Sequence, residues 1–334
     1  YKLLSFRIII IKILSSFVLI SSGGAIGREG PTIQIAGSIF RKVYEFLPEW
    51  WPKISKKNMI LTGAAAGLSA AFNTPLGGIV FAVEELSKTH INYFKTALFT
   101  AVIIAGLTAQ SFAGSYLYLG YPKTSGVTLW IMFPIMFVSG ISGILSSQLS
   151  VAMLKINRLK KKLKTDLAHI IFLIISALIV ASIAYLINRD ILGSGKDIIE
   201  RVLFTDHKTE AWYVPILRML GPALAFTSGG AGGIFAPALS TGATIGSVFA
   251  GVMNLTDNET NVLVLAGMVA FLTGITRAPF TSAILVLEMT DRHSLIFHLM
   301  LAGMMSSIFS VLISRYSLYE MLKINFINDI IKGK

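Results

Sequence analysis

The sequence predicts an all-α integral membrane protein built from broken helices, and three observations carry that prediction. The 334 residues are 54% hydrophobic and 14% charged, with a mean hydropathy of +0.72, whereas soluble globular chains carry roughly a quarter charged residues. Stretches without Asp, Glu, Lys or Arg reach the roughly 20 residues a helix needs to cross hydrocarbon. They cover 58–83, 96–122, 125–154, 167–188, 219–256 and 294–314. Several are interrupted by glycines, as in Ser228-Gly229-Gly230-Ala231-Gly232-Gly233, or by Pro75 and Pro237, and Pro279 plays the same part just after Arg277. Backbone freed by such breaks at membrane depth is tolerated only against protein or a water-filled cavity, an arrangement typical of transporters and channels.

The excess of basic residues orients such a chain. Lys and Arg number 29 against 17 Asp and Glu, a net charge of +12, which here points to basic loops on an anionic membrane face and not to nucleic acid. Lys155, Arg158, Lys160, Lys161, Lys162 and Lys164 form the densest cluster, predicted to be a cytoplasmic loop. Counting back two crossings puts Glu84-Glu85-Leu86-Ser87-Lys88 on the same side. The short tail with Lys323, Lys332 and Lys334 is expected there too, and the mixed-sign loop 189–210 on the opposite face. The chain opens on Tyr1, and residues 7–22, interrupted by Lys12, read as a membrane segment whose N-terminal context is missing.

Enzymatic and metal-dependent classes find no support. Cysteine is absent, which excludes disulfides, thiolate metal sites and a cysteine nucleophile. His90, His169, His207, His293 and His298 show no metal-ligand spacing, and Gly193-Ser194-Gly195-Lys196 has neither the spacing nor the preceding strand of a phosphate loop. No metal, cofactor or catalytic activity is therefore expected. Trp50 and Trp51 near Lys53, Lys56 and Lys57 read as an interfacial belt.

An internal repeat is visible. Ser22-Gly23-Gly24-Ala25-Ile26-Gly27-Arg28-Glu29-Gly30-Pro31 matches Ser228-Gly229-Gly230-Ala231-Gly232-Gly233-Ile234-Phe235-Ala236-Pro237 at an offset of 206, and Gly63, Ala66, Pro75 and Glu84 match Gly267, Ala270, Pro279 and Glu288 at an offset of 204. Chance in a Gly-rich, Ala-rich chain is the alternative; two similar offsets in one order favour two homologous halves, repeat-related over 22–85 and 228–290, with a binding site between them. Pro31 and Pro237 each suit the first turn of a helix. If the two starts face one another at mid-membrane, their free N–H groups and dipoles converge on one spot suited to an anion.

Comparing the halves sorts the acids. Glu84 has its counterpart in Glu288 and is expected to be architectural, as a helix cap or a shared ion pair. Glu29 and Glu85 fall opposite Phe235 and Met289. A membrane carboxylate costs at least about 2.5 kcal/mol at a helix centre and is a functional candidate by default. Glu29 stands beside the anion spot, where its carboxylate either competes with a permeant anion or pairs with Arg28 or another buried base. Glu85 adjoins Glu84 and is either a tuned proton acceptor or a solvated helix end partnered by Lys88.

These residues carry a family resemblance. Gly27-Arg28-Glu29-Gly30-Pro31 is similar to the G-R-E-G-P signature of the CLC chloride channel and transporter family, and Gly233-Ile234-Phe235-Ala236-Pro237 resembles its G-x-F-x-P signature. The similarity runs through Gly63-Ala64-Ala65-Ala66-Gly67, Phe72-Asn73-Thr74-Pro75, Glu84-Glu85, Arg277-Ala278-Pro279 and Leu287-Glu288-Met289-Thr290 to Leu318-Tyr319. The family's G-S-G-I-P signature is absent and is expected upstream of Tyr1. The resemblance implies an inverted-repeat helical bundle with re-entrant helices: a single transmembrane domain over 1–334 ending in a cytoplasmic helix or tail at 317–334. It implies that Glu29 is the external gate, that Glu85 is the internal proton-transfer group, and that Ile234, Phe235 and Tyr319 hold the central anion. Chloride transport coupled to proton antiport is the expected function, with passive conduction of chloride or another small anion such as nitrate as the alternative. A fluoride exporter fits less well, because Tyr319 and G-x-F-x-P resemble the chloride branch. A homodimer in a lipid bilayer, of prokaryotic type in a bacterial inner membrane, is implied, with no cofactor and no nucleic acid.

Overall fold

The computed structural model describes residues 4–50, 54–86, 95–114 and 117–331. Trp51, Lys53, Ser87, Lys88, His90, Lys332 and Lys334, singled out above, lie outside them. The described residues are helical throughout: α1 (Phe6–Ser21), α2 (Glu29–Phe46), α3 (Lys56–Phe72), α4 (Pro75–Phe81) running into a π-helical turn (Ala82–Leu86), and α5 (Lys95–Ala113). Then come α6 (Met132–Lys161), α7 (Asp166–Leu186) and α8 (Lys196–Phe204), followed by α9 (Val214–Thr227), α10 (Phe235–Val252), α11 (Asp257–Thr276), α12 (Pro279–Thr290), α13 (Ile296–Val311) and α14 (Leu318–Ile331). Six of these segments are long and apolar enough to cross a membrane. The charge-free stretch 219–256 is not one span: it divides into α9 and α10 at the glycine run.

The repeat is larger than the matched motifs, since α1–α5 recur as α9–α13. Helices α2 and α10 each have 18 residues and begin at the equivalent residues Glu29 and Phe235. Helices α3 and α11 both end on a left-handed residue, Asn73 at φ 56° and Arg277 at φ 63°. Such a residue turns the chain out of the helix, and two positions later Pro75 and Pro279 open α4 and α12 with φ already set for a helix. Small residues let the paired helices approach closely: a Cβ on Gly63 would lie 2.8 Å from the Ala36 carbonyl, and the equivalent Gly267 and Gly242 meet backbone to backbone.

Two features tie the halves to each other. Gly27 and Gly233, equivalent residues, exchange backbone hydrogen bonds, Gly27 N–H to Gly233 O at 2.9 Å and Gly233 N–H to Gly27 O at 2.7 Å. A reciprocal pair between equivalent residues places a local two-fold axis between them. Glu84 accepts from the N–H groups of Phe280 (3.2 Å) and Thr281 (2.6 Å) at the start of α12, while Glu288 accepts from those of Leu76 (3.0 Å) and Gly77 (2.6 Å) at the start of α4. Each repeat thus caps the other's short helix, satisfying N–H groups that have no intrahelical acceptor. The architectural role expected for Glu84 is that of a cap and not of an ion pair.

One expectation needs correction. The basic cluster is not a loop: Lys155, Arg158, Lys160 and Lys161 lie on the last turns of α6, and Lys162 is its C-cap residue. Cations there complement the negative end of the helix dipole. Lys161 also pairs with Asp329, tying the end of α14 to α6. Helix α7 faces outward with most of its side chains exposed, whereas residues 260–276 of α11 are all buried at the centre of the bundle.

Candidate functional site

The two glycine-rich loops deliver the N-termini of α2 and α10 to the axis from opposite halves. Arg28 and Ile234 are the N-cap residues, with nearly equal backbone angles (φ −93° and ψ −6° against φ −105° and ψ −8°). Glycine is required for the approach: a Cβ on Gly30 would lie 2.8 Å from the Gly232 carbonyl, and one on Gly233 would lie 2.7 Å from the Gly30 nitrogen. The first N–H groups of both helices have no intrahelical acceptor, and both dipoles are positive here.

Glu29 is the first residue of α2, and its side chain is 2% exposed. Its carboxylate is folded over the Gly27–Gly233 pair, in the space a Cβ on either glycine would enter. The backbone N–H groups of Glu29 itself, of Ala236 on α10 and of Arg28 face it, while Oε2 is buried without a hydrogen-bond partner. Arg28 is exposed and forms no ion pair with Glu29 among the described residues, so the salt-bridge alternative is not realised. A carboxylate held by the dipoles of two helices occupies the spot where a free anion would be stabilised, and removal of its charge or a side-chain rotation vacates that spot.

Phe235 and Ile234 are buried at the start of α10. The Phe235 ring stacks on Phe72 at a centroid distance of 6.4 Å, meets Phe81 edge-on at 5.9 Å, and lies 6.3 Å from Tyr319. Tyr319, in the first turn of α14, packs half-buried against this cluster. Both Glu29 and Glu85 act electrostatically on its hydroxyl. Glu85 sits half-buried on the π-helical turn after α4. Residues widely separated in sequence thus meet at the first turn of α10, Glu29 by the Ala236 N–H and Tyr319 by the Phe235 ring. Gly27, Gly30, Pro31, Gly233, Ala236 and Pro237 build the backbone around Glu29.

Sequence reasoning missed the supports. Phe72 and Phe81 enclose the Phe235 ring, but apolar residues in an apolar chain give no signal. Arg218 is fully buried and donates to the carbonyls of Asp190, Leu192 and Gly193 and to Ser240 Oγ, which in turn donates to the Pro237 carbonyl at 2.9 Å. It thereby fixes the first turn of α10 to the turn at 189–193. A lone arginine at the edge of a charge-free stretch gives no sign in the sequence that it is buried. Beside that turn, Arg201 pairs with Asp190 and Glu210 at 2.7 Å each, and the Asp190 hydrogen bonds first, then those of Glu210, raise its already high pKa.

A family model described as voltage gated chloride channel matches residues 1–311. The H(+)/Cl(−) exchange transporter ClcA of Citrobacter koseri is 32% identical over 301 residues, 87% of this chain and 63% of that protein. ClcA of Salmonella arizonae is 30% identical over 330 residues, 94% of this chain and 68% of that protein. The chain therefore spans slightly less than two thirds of the length of the Citrobacter relative. Among solved structures, a slow cyanobacterial Cl−/H+ antiporter superposes with a TM-score of 0.80 at 24% identity, covering 95% of this chain and 75% of that one. A CLC-type fluoride/proton antiporter superposes with a TM-score of 0.76 at 18% identity, covering 94% and 80%. At these identities the structural likeness concerns the fold.

Proposed function

The chain belongs to the voltage-gated chloride channel family, and from that premise we propose that it moves chloride across a membrane in exchange for protons. The observation that carries this reading is the Glu29 carboxylate lodged between the N-termini of α2 and α10 at the repeat axis. In this reading the carboxylate is a tethered competitor of chloride. While ionised and seated, it fills the anion spot; once protonated, it loses its attraction to the two dipoles and swings out, and chloride takes its place. Each exchange of side chain for chloride then carries one proton-binding event, which couples the two fluxes.

Glu85 serves as the proton entrance from the cytoplasm, and Tyr319 offers its hydroxyl to the central anion. The N–H groups of Ile234 and Phe235 complete that site. Uncharged donors suit transport, since they hold an anion without the deep trap of a desolvated lysine or arginine. Two ClcA exchangers at 30% identity or more support proton coupling over passive conduction. A homodimer in a bacterial inner membrane, with the α6 basic turn and α14 on the cytoplasmic side, completes the proposal.

Reconstituted liposomes test it. A chloride gradient should drive protons uphill; Glu29→Gln should leave chloride flux without proton movement, and Glu85→Gln should suppress protons while chloride still moves. Chloride flux with no proton movement in the unmodified protein would make it a passive channel and overturn the exchange reading.

A further inference from the structure

Helix α11 ends on Arg277 at φ 63°. Of the four non-glycine residues with positive φ among the described residues, Asn73, Asn254 and Asp291 belong to the types that tolerate it best. The equivalent position at the end of α3 is one of them, Asn73. Backbone geometry alone therefore calls for glycine or asparagine at 277. The arginine is explained by what its side chain reaches.

That side chain gathers three elements at the end of α11. Nη2 donates to the Ser310 carbonyl in the last turn of α13 at 2.9 Å, to the Ser314 carbonyl beyond it at 2.6 Å and to Ser147 Oγ of α6 at 3.2 Å, while Nη1 donates to the Gly274 carbonyl of α11 at 3.1 Å. The Ser314 contact matters most. Four of the five residues 312–316 are exposed and only Ser314 is half-buried, so Arg277, and not packing, anchors the connector from α13 to α14. The restraint passes on from there. Ser314 Oγ accepts from the Tyr316 N–H at 3.3 Å and donates to the Tyr316 carbonyl at 3.1 Å. Buried Ser317 and Glu320 then exchange hydrogen bonds of 3.1 Å each across the start of α14, a capping box, and the Glu320 carboxylate acts electrostatically on Arg277. Tyr319 stands inside that box, its ring 6.3 Å from that of Phe235.

We propose that Arg277 is a positioning residue for Tyr319: by clamping Ser314 it fixes where the tyrosine ring and hydroxyl stand beside Phe235. Its consequence for transport rests on the reading of Tyr319 as an anion ligand, whereas the positioning itself does not.

Arg277→Asn is the variant to use, because Asn73 shows that asparagine holds this turn. With a fluorinated tyrosine placed at Tyr319 of the full chain in detergent, the unmodified protein should give a single fluorine resonance, and Arg277→Asn should shift or split it. Arg277→Lys, which keeps a cation with three donors for the Ser310 and Ser314 carbonyls, should restore it. Bromide binding followed by calorimetry should weaken about three- to tenfold in Arg277→Asn, no more than loss of one neutral hydroxyl hydrogen bond allows. The same substitution in a Tyr319→Phe background should add nothing. Arg277→Gln, which lacks the guanidinium fork, takes its place if Arg277→Asn does not fold. An unmoved resonance overturns the proposal, and so does a loss of affinity of equal size in both backgrounds, which would make Arg277 a support of the bundle at large. A moved resonance with bromide affinity unchanged in both Arg277→Asn and Tyr319→Phe leaves the positioning standing and removes Tyr319 from the anion site.

Discussion

Alanine at Gly27 should act through Glu29 alone. The glycine has no positive φ, so the substitution adds no backbone strain. The three heavy atoms nearest an added methyl group all belong to the Glu29 carboxyl group, with Cδ at 2.6 Å and Oε1 at 2.7 Å. Carbon atoms pack best at about 3.5–4.0 Å, and Oε2 lies closer than Cδ, so the carboxyl group must retreat by at least about 1 Å. That carries it away from the N–H groups of Arg28, Glu29 and Ala236. A hydrogen bond to a charged group contributes roughly 1.5–3 kcal/mol, so losing one shifts the seated-to-displaced ratio by about ten- to a hundredfold. Chloride efflux from liposomes, recorded with proton flux, reads this out: passive chloride flux should rise and fewer protons should move per chloride. In a Glu29→Ala background the same substitution should add nothing, the signature of two residues acting as one. An effect of equal size in both backgrounds would refute the reasoning, because the methyl group would then be acting on the Gly27–Gly233 backbone pair. Gly233→Ala provides the contrast. Its methyl group would reach the Gly30 nitrogen at 2.7 Å as well as Glu29 Oε2 at 2.6 Å, so it should remain harmful with or without Glu29.

Glu84→Gln and Glu288→Gln should each lower stability by about 1–3 kcal/mol, since each weakens hydrogen bonds to a helix start; thermal unfolding in detergent measures this, and two unchanged midpoints would dismiss the reciprocal caps. Arg218→Met strands the carbonyls of Asp190, Leu192 and Gly193 and should cost about 3 kcal/mol or more, with chloride affinity falling as the first turn of α10 loosens. A variant of normal stability and affinity would show that Ser240 and its neighbours hold that turn unaided. Tyr319→Phe removes one hydroxyl donor and should weaken equilibrium bromide binding by roughly three- to tenfold while leaving the unfolding midpoint in place; unchanged binding would take the hydroxyl out of the anion site.

The membrane class, the broken helices and the repeat were legible because they reside in local chemistry. Charge-free stretches, proline at helix starts and glycine runs write themselves into sequence, and a duplicated half writes itself twice. The pairing of Glu84 with Glu288 at one offset already marked them as architecture, and the asymmetry of Glu29 and Glu85 marked them as chemistry. The basic cluster is legible by its charge but not as a helix end, because lysine and arginine fit a helix end as well as they fit a connection. Arg218 escaped notice, since a buried arginine is distinguished from a boundary arginine only by the carbonyls around it, and those come from residues 190–193 of another element.

The sequence by itself therefore determined the solvent, the number of halves and the acids worth attention, because hydropathy, backbone propensity and duplication act between neighbours in the chain. Tertiary structure alone decided that Gly27 faces Gly233, that the Glu29 carboxylate rests over that pair against the N-terminus of α10, that each repeat caps the other's short helix, and that Lys160 reaches the carbonyls of Thr227 and Ser228 at the end of α9. Each of these is a juxtaposition across roughly 70 to 210 residues of chain. Hydrogen bonds and charges act over a few ångströms, so such contacts exist only once the two halves have packed about their common axis.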